Sequence, residues 1–133
     1  MKRPLAYITA SWYGGDSENA ERAARYCRAV YEAGYAPICP ALFLPLFLND
    51  PVPQEHKDGL DMARDLLRRS RVLVVCGHTI TESMKNDITV AIIFFNELCD
   101  SAFGACRFQQ FYFNITYFQK SGFNFLILYC FYI

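Results

Sequence analysis

Residues 71–76, RVLVVC, form a run of β-formers too short for a helix, and Gly77 closes it. A short apolar run bounded by a turn residue reads as a buried strand. Two earlier segments have the same character: LAYITA (5–10), closed by the polar, glycine-containing SWYGGDSEN, and YAPIC (35–39). Between and after these strands the apolar period changes to that of a helix.

From Ser17 onward, Ala20, Ala23, Ala24, Cys27, Val30 and Tyr31 fall at helical spacing, with Glu18–Arg22 and Glu21–Arg25 as i,i+4 pairs outside. Asp16 or Ser17 can cap this helix, and Gly34 ends it. Gln54 to Ser70 reads as a second helix with Met62, Ala63, Leu66 and Leu67 inward, and Ser83 to about Phe95 as a third. The intervening PALFLPLFLNDPVPQ holds four prolines, which exclude regular helix through most of it. It is a long apolar loop, suited either to cover a site or to pack on the core.

Alternating strand and helix is the α/β pattern, with a parallel sheet and right-handed crossovers. Ligands of such sheets bind beyond the carboxyl ends of the strands, where strand order switches. Three loops should meet there: 11–16, 40–53 and 77–82. In the first, Ser11, Trp12, Tyr13 and the Gly14-Gly15 pair offer a hydroxyl, aromatic faces and close backbone approach ahead of a helix start, or else a plain strand-to-helix turn. In the third, Ser83 can cap the helix and Asp87 would lie about one turn in, where an acid stabilises the positive helix end. A carboxylate at that edge, with a sugar carbon in reach, is also placed to act as a nucleophile in glycosyl transfer.

At 133 residues the chain suits one domain. Thirteen basic and thirteen acidic side chains cancel, so no overall field recruits a nucleic-acid polymer or an anionic membrane. Six cysteines without a Cys-x-x-Cys pair read as reduced thiols of a cytoplasmic protein. The start, MKRPLAYITASW, lacks the apolar stretch of a signal peptide, and the terminal FNFLILYCFYI is far short of the roughly 20 residues of a spanning helix. Cys76, His78 and His56 are too few for a convincing metal cluster, and a cysteine at a strand end is more often packed than nucleophilic. Neither a metal nor a cofactor is therefore expected.

After Ala91 the composition changes. Residues 92–133 hold 14 Phe or Tyr and only four charged residues. FQQFYFNITYF and FNFLILYCFYI, separated by QKSG, favour a β-hairpin that could complete the sheet or present an aromatic patch. A shifted reading frame would produce the same break. The expected organisation is an α/β core at 1–91 and an atypical aromatic-rich segment at 92–133.

AYITASWYGGDSENAERAARYCRAVYEAGYAPICP, with VLVVCG and SMKNDITVA, resembles the nucleoside 2-deoxyribosyltransferase-like superfamily. The nearest likeness is to its small bacterial and phage members of the domain of unknown function 4406 and 7768 types, over about residues 5–91. The resemblance implies a three-layer flavodoxin-like or Rossmann-like parallel sheet. It also implies a nucleoside or nucleotide pocket lined by Ala10, Ser11, Trp12, Tyr13 and Gly14, with Gly77, His78, Ser83 and Met84 beside it. The family's nucleophilic glutamate stands four residues before a helix alanine, where this chain has Asp87 before Ala91. By that resemblance Asp87 would attack C1′ and release the base.

The departures are specific. Asp87 is one methylene shorter than glutamate, Ser83 stands where a glycine is usual, and Arg71 replaces an aspartate. A helical aspartate of the characterised relatives falls near Ala63, with Asp61 the closest acid. The resemblance also implies a homo-oligomer. The functional expectation is N-glycosidic cleavage or deoxyribosyl transfer; the alternative is a non-catalytic nucleotide-sensing or phage-associated module on the same fold.

Overall fold

The computed structural model describes residues 2–10, 16–77, 80–103, 115–120 and 123–129. In chain order these form β1 (Leu5–Ala10), α1 (Asp16–Glu32), β2 (Ala36–Ile38), a short α2 (Pro40–Phe43) running into a 3₁₀ turn (Leu44–Leu46), and α3 (Pro53–Arg69). They continue with β3 (Val72–Cys76), α4 (Glu82–Phe103), β4 (Ile115–Lys120) and β5 (Phe123–Tyr129).

The protein is mixed α/β. Among the described residues, five strands lie in the order β2-β1-β3-β5-β4. β1 pairs in parallel with both β2 and β3, with Tyr7 opposite Ile38 on one side and Leu73 on the other. The parallel arrangement expected for the sheet therefore holds for three strands. The hairpin of β4 and β5 joins antiparallel, with Val74 opposite Ile127. The β-forming character of the C-terminal segment is expressed as strand, and β5 occupies the flank of β3 that would otherwise be an edge.

Side chains alternate across a strand, and here they divide the core in two. Ala6, Ile8, Val72, Val74 and Cys76 face one side and pack against Ala23, Tyr26, Ala29 and Val30 of α1, with Cys39. Tyr7, Leu73 and Val75 face the other and pack against Leu67 of α3 and Met84 and Ala91 of α4. β3 is buried along its whole length, as a strand covered on both faces must be.

The inward face of α1 differs in phase from the expected one. Asn19, Ala23, Tyr26 and Val30 are buried, while Ala24 and Tyr31 are exposed. An alanine is indifferent to which side of a helix it occupies, so an alanine-rich pattern leaves the phase to the larger Tyr26. The end of α1 follows expectation. Gly34 takes φ 100°, the Gly34 N–H donates to the Tyr31 carbonyl (3.0 Å) and the Tyr35 N–H to the Val30 carbonyl (3.3 Å). These are the two bonds of a Schellman ending. Arg3 adds a cation there, donating to the Tyr31 carbonyl at 2.8 Å while its guanidinium sits over the Tyr31 ring.

α3 begins at Pro53, one residue earlier than expected, because proline at the first helical position loses no helical bond. Leu67 is buried and Ala63 and Leu66 are half-buried, but Met62 is exposed, on the flank of the apolar stripe. The proline-rich loop is more ordered than four prolines suggested, because Pro40 and Pro45 also sit at helix starts where a missing N–H costs nothing. α4 runs on through position 91 to Phe103, past the expected end near Phe95. No helix among the described residues is long and apolar enough to cross a membrane.

Candidate functional site

The order β2-β1-β3 means that the chain leaves β1 to one side and returns to β3 on the other, so strand order switches between β1 and β3. The carboxyl ends of these two strands are Ala10 and Cys76, which are register partners. Gly77 follows with φ 105°, a backbone conformation that side-chain-bearing residues rarely adopt, and the chain turns there towards α4.

α4 starts at Glu82, and its cap is Thr81. The Thr81 hydroxyl accepts the Met84 N–H at 3.3 Å, and the Thr81 N–H donates to Met84 Sδ at 3.5 Å. Ser83, the expected cap, lies inside the first turn and is exposed. Reach separates the two: a capping oxygen takes the N–H three residues on, and only Thr81 stands at that distance from Met84. Met84 is 1% exposed and belongs to the core.

Met84, Asp87, Ile88 and Ala91 fall on one face of α4, which packs against the sheet. Asp87 is therefore carried inward. Thr9, at the next-to-last position of β1 and 4% exposed, donates its hydroxyl to Asp87 Oδ2 at 2.7 Å. This length is typical of a strong hydroxyl–carboxylate bond. Tyr7, two residues earlier on the same strand face, is buried as well.

The electrostatics of the group agree with its geometry. Burial pushes the Asp87 carboxyl above its ordinary value, while the Thr9 hydrogen bond and the charge of Arg64 on α3 pull it back. Tyr7 is raised well beyond the usual phenol range, first by its own burial and then by the Asp87 charge. The phenol thus stays neutral beside the carboxylate. Such an arrangement can accept a hydrogen bond from a ligand hydroxyl, or offer a carboxylate oxygen as a nucleophile.

The remaining expected site residues are distributed as follows. Ala10 and Gly77 lie at the carboxyl edge, both half-buried. Asp61 is exposed on α3, and the charge that reaches Asp87 from that helix is Arg64, one turn further on. Ser11, Trp12, Tyr13, Gly14 and His78 lie outside the described residues. Arg71 is at the opposite, amino end of β3, where its N–H donates to the Leu5 carbonyl at 2.8 Å. His56, the other histidine considered for a metal, sits in the first turn of α3 with Nδ1 2.7 Å from Asp50 Oδ1. Among the described residues no three His, Cys, Asp or Glu side chains converge as metal ligands. Cys39 and Cys76 are buried free thiols and Cys27 is a half-buried one.

Three residues of this constellation were not singled out from the sequence: Tyr7, Thr9 and Arg64. A hydroxyl in an otherwise apolar strand, two residues from a tyrosine, is the signal that points to the first two. Arg64 has no such signal among the many charges of α3.

A sheet covered by helices on both faces, with a half-buried carboxylate near the carboxyl ends of its two central parallel strands, defines a small α/β domain with a candidate polar site at the strand switch. The chain belongs to the family described as Domain of unknown function (DUF7768), whose model matches residues 4–93. The match runs from β1 into α4 and includes both Thr9 and Asp87. No curated protein matches the chain.

Proposed function

We propose that the protein binds a nucleoside or nucleotide at the carboxyl edge of its parallel strands and cleaves or transfers the N-glycosidic bond through Asp87. The observation that carries this reading is the Asp87 carboxylate, half-buried and held by Thr9 at 2.7 Å beside the strand switch. The likeness of AYITASW and SMKNDITVA to the nucleoside 2-deoxyribosyltransferase-like superfamily supplies the substrate class. In the same reading the three parallel strands and their helices are the small core of a flavodoxin-like sheet. The protein would act in the cytoplasm on a small molecule, with a homo-oligomer as its assembly.

In the proposed reaction an Asp87 oxygen donates a lone pair to C1′. The C1′–N bond breaks, and its electron pair leaves with the base, which takes a proton from water. The resulting glycosyl ester is then opened by a second base or by water, and the carboxylate is restored. A neutral Tyr7 next to Asp87 adds no competing negative charge to the site.

The test is base release from a panel of deoxynucleosides and their 5′-monophosphates, followed chromatographically. Release by the unmodified protein, lost in Asp87→Ala with binding retained, is the expected result. Binding without any base release would instead favour the non-catalytic nucleotide-sensing module, and neither binding nor release would overturn both.

A further inference from the structure

The Asp87 carboxylate has two oxygens, and the structure distinguishes them. Oδ2 accepts the Thr9 hydroxyl, and the bond joins β1 to α4 across 78 residues of sequence. Thr9 is one of only a few buried polar residues among those described, on a face whose core is built mainly from aliphatic side chains. A threonine in a strand has a restricted χ1, so its hydroxyl direction is set by the backbone of β1. The donor is therefore rigid.

We propose that Thr9 is a positioning residue for Asp87: by holding Oδ2 it makes Oδ1 the reacting oxygen and fixes the direction from which it meets C1′. The proposal rests on the reading of Asp87 as a nucleophile. An ester formed at Oδ2 would place a sugar carbon against an oxygen already 2.7 Å from a buried hydroxyl. An ester formed at Oδ1 leaves Oδ2 as its carbonyl oxygen, still accepting from Thr9. When the ester opens, the C1′–Oδ1 electron pair returns to the carboxylate. The same hydroxyl then stabilises the charge as it reappears. The side chain of aspartate is short, so a donor on the strand itself, rather than on a mobile loop, is suited to fix it.

Among the described residues, two other groups interact electrostatically with Asp87: Tyr7, from β1, and Arg64, from α3. The hydrogen bond to Oδ2 comes from Thr9, while Arg64 acts on the carboxylate through its charge and the neutral Tyr7 phenol feels the Asp87 charge.

The test compares Thr9→Val, which keeps the shape and removes the hydroxyl, with Thr9→Ser, which keeps the hydroxyl. Two readouts need no substrate. Carboxyl carbon NMR should show Asp87 titrating at higher pH in Thr9→Val than in the unmodified protein, with Thr9→Ser restoring it, because loss of a donor to the ionised form raises a carboxyl pKa. In the unmodified protein the Thr9 hydroxyl proton should be observable in slow exchange and should move as Asp87 titrates, a result that stands even if Thr9→Val does not fold. With substrate, Thr9→Val should lower kcat by roughly tenfold or more with KM little changed, and should move the acidic limb of the rate profile to higher pH.

An Asp87 titration that ignores Thr9→Val, or a Thr9 hydroxyl that exchanges freely and ignores Asp87, overturns the assignment. Base release that needs Asp87 but is indifferent to Thr9→Val would do the same while leaving the proposed function intact. Absence of base release with the titration shift present would instead overturn the reaction and, with it, the assignment of a reacting oxygen, leaving Thr9–Asp87 as a structural contact.

Discussion

The two faces of the sheet are built from the same three parallel strands, yet they differ in kind. The α1 face is closed by Ala6, Ile8, Val74, Tyr26 and Val30, and its reactive groups are the thiols of Cys27, Cys39 and Cys76. The α3/α4 face buries Tyr7, Leu73, Leu67 and Met84 but also admits a hydroxyl–carboxylate pair. Two of the thiols are kept neutral: Cys76 is pushed up chiefly by desolvation, and Cys39 chiefly by its hydrogen bond to Cys27 and then by burial. The carboxylate is a different matter, since its charged form is opposed by burial and supported by Thr9 and Arg64. The α1 face is built as core, while the other combines core with the candidate site.

The largest effects should not separate the faces at all. Ile8→Ala on the α1 side and Leu73→Ala on the α3/α4 side each remove a side chain at most 2% exposed, and each should cost about 2–5 kcal/mol in denaturant unfolding. A much smaller loss on either side would show that the corresponding face is loosely packed.

Next comes the ending of α1. Gly34→Ala meets nothing within 4 Å but forces a side chain into φ 100°, so it should cost about 1–2 kcal/mol. Since strain alone is involved, Gly34→Asn should recover part of the loss, and equal losses for the two would point to an unseen contact instead.

The faces should separate in their response to pH. The folded-state pKa of Asp87 is raised, so the folded protein binds its proton more readily than the unfolded chain does. Between the ordinary aspartate value and the raised one, stability then falls as pH rises. Asp87→Asn should accordingly increase the melting temperature at neutral pH, by less than either core truncation decreases it. That gain should disappear in acid below the usual aspartate range. A pH-independent gain would mean that the side chain's shape, not its charge, is what the face resists.

On the α1 face the corresponding probe is chemical. The Cys39 thiol hydrogen-bonds Cys27 and lowers its pKa, and Cys27 is the more exposed of the two. Iodoacetamide should therefore modify Cys27 well before Cys39 or Cys76, as read by peptide mass spectrometry; comparable rates would show that this face opens. The smallest effect is expected at Gly59 of α3. A methyl there approaches only the tip of Leu48, at 3.2 Å, while alanine favours a helix over glycine by about 1 kcal/mol. Gly59→Ala should be neutral to slightly stabilising.

What could be read without the fold depended on how local the cause was. The strands and helices, the glycine that ends α1 and the glycine after β3 all follow from short patterns within one turn or one strand. The tendency of residues 115–129 to form two strands follows from their β-forming side chains in the same way. Helix phase was harder. Ala24 suits either side of α1, and Met62 lies one position away from the stripe that Leu66 and Leu67 define. The α4 cap was displaced by two residues because both Thr81 and Ser83 can cap, and only the observed bond to Met84 separates them.

The sequence by itself determined the α/β alternation and placed an acid, Asp87, early in the helix after the third strand, because periodicity and turn chemistry act over a few residues. Only the tertiary structure decided that β5 pairs antiparallel with β3 and that Thr9 is the residue holding Asp87. Both depend on contacts between distant segments: the register that sets Thr9 beside Val75, and the packing that turns Met84, Asp87 and Ala91 towards the sheet. A hydrogen bond across 78 residues has no local pattern to announce it, since its geometry exists only once the layers are assembled.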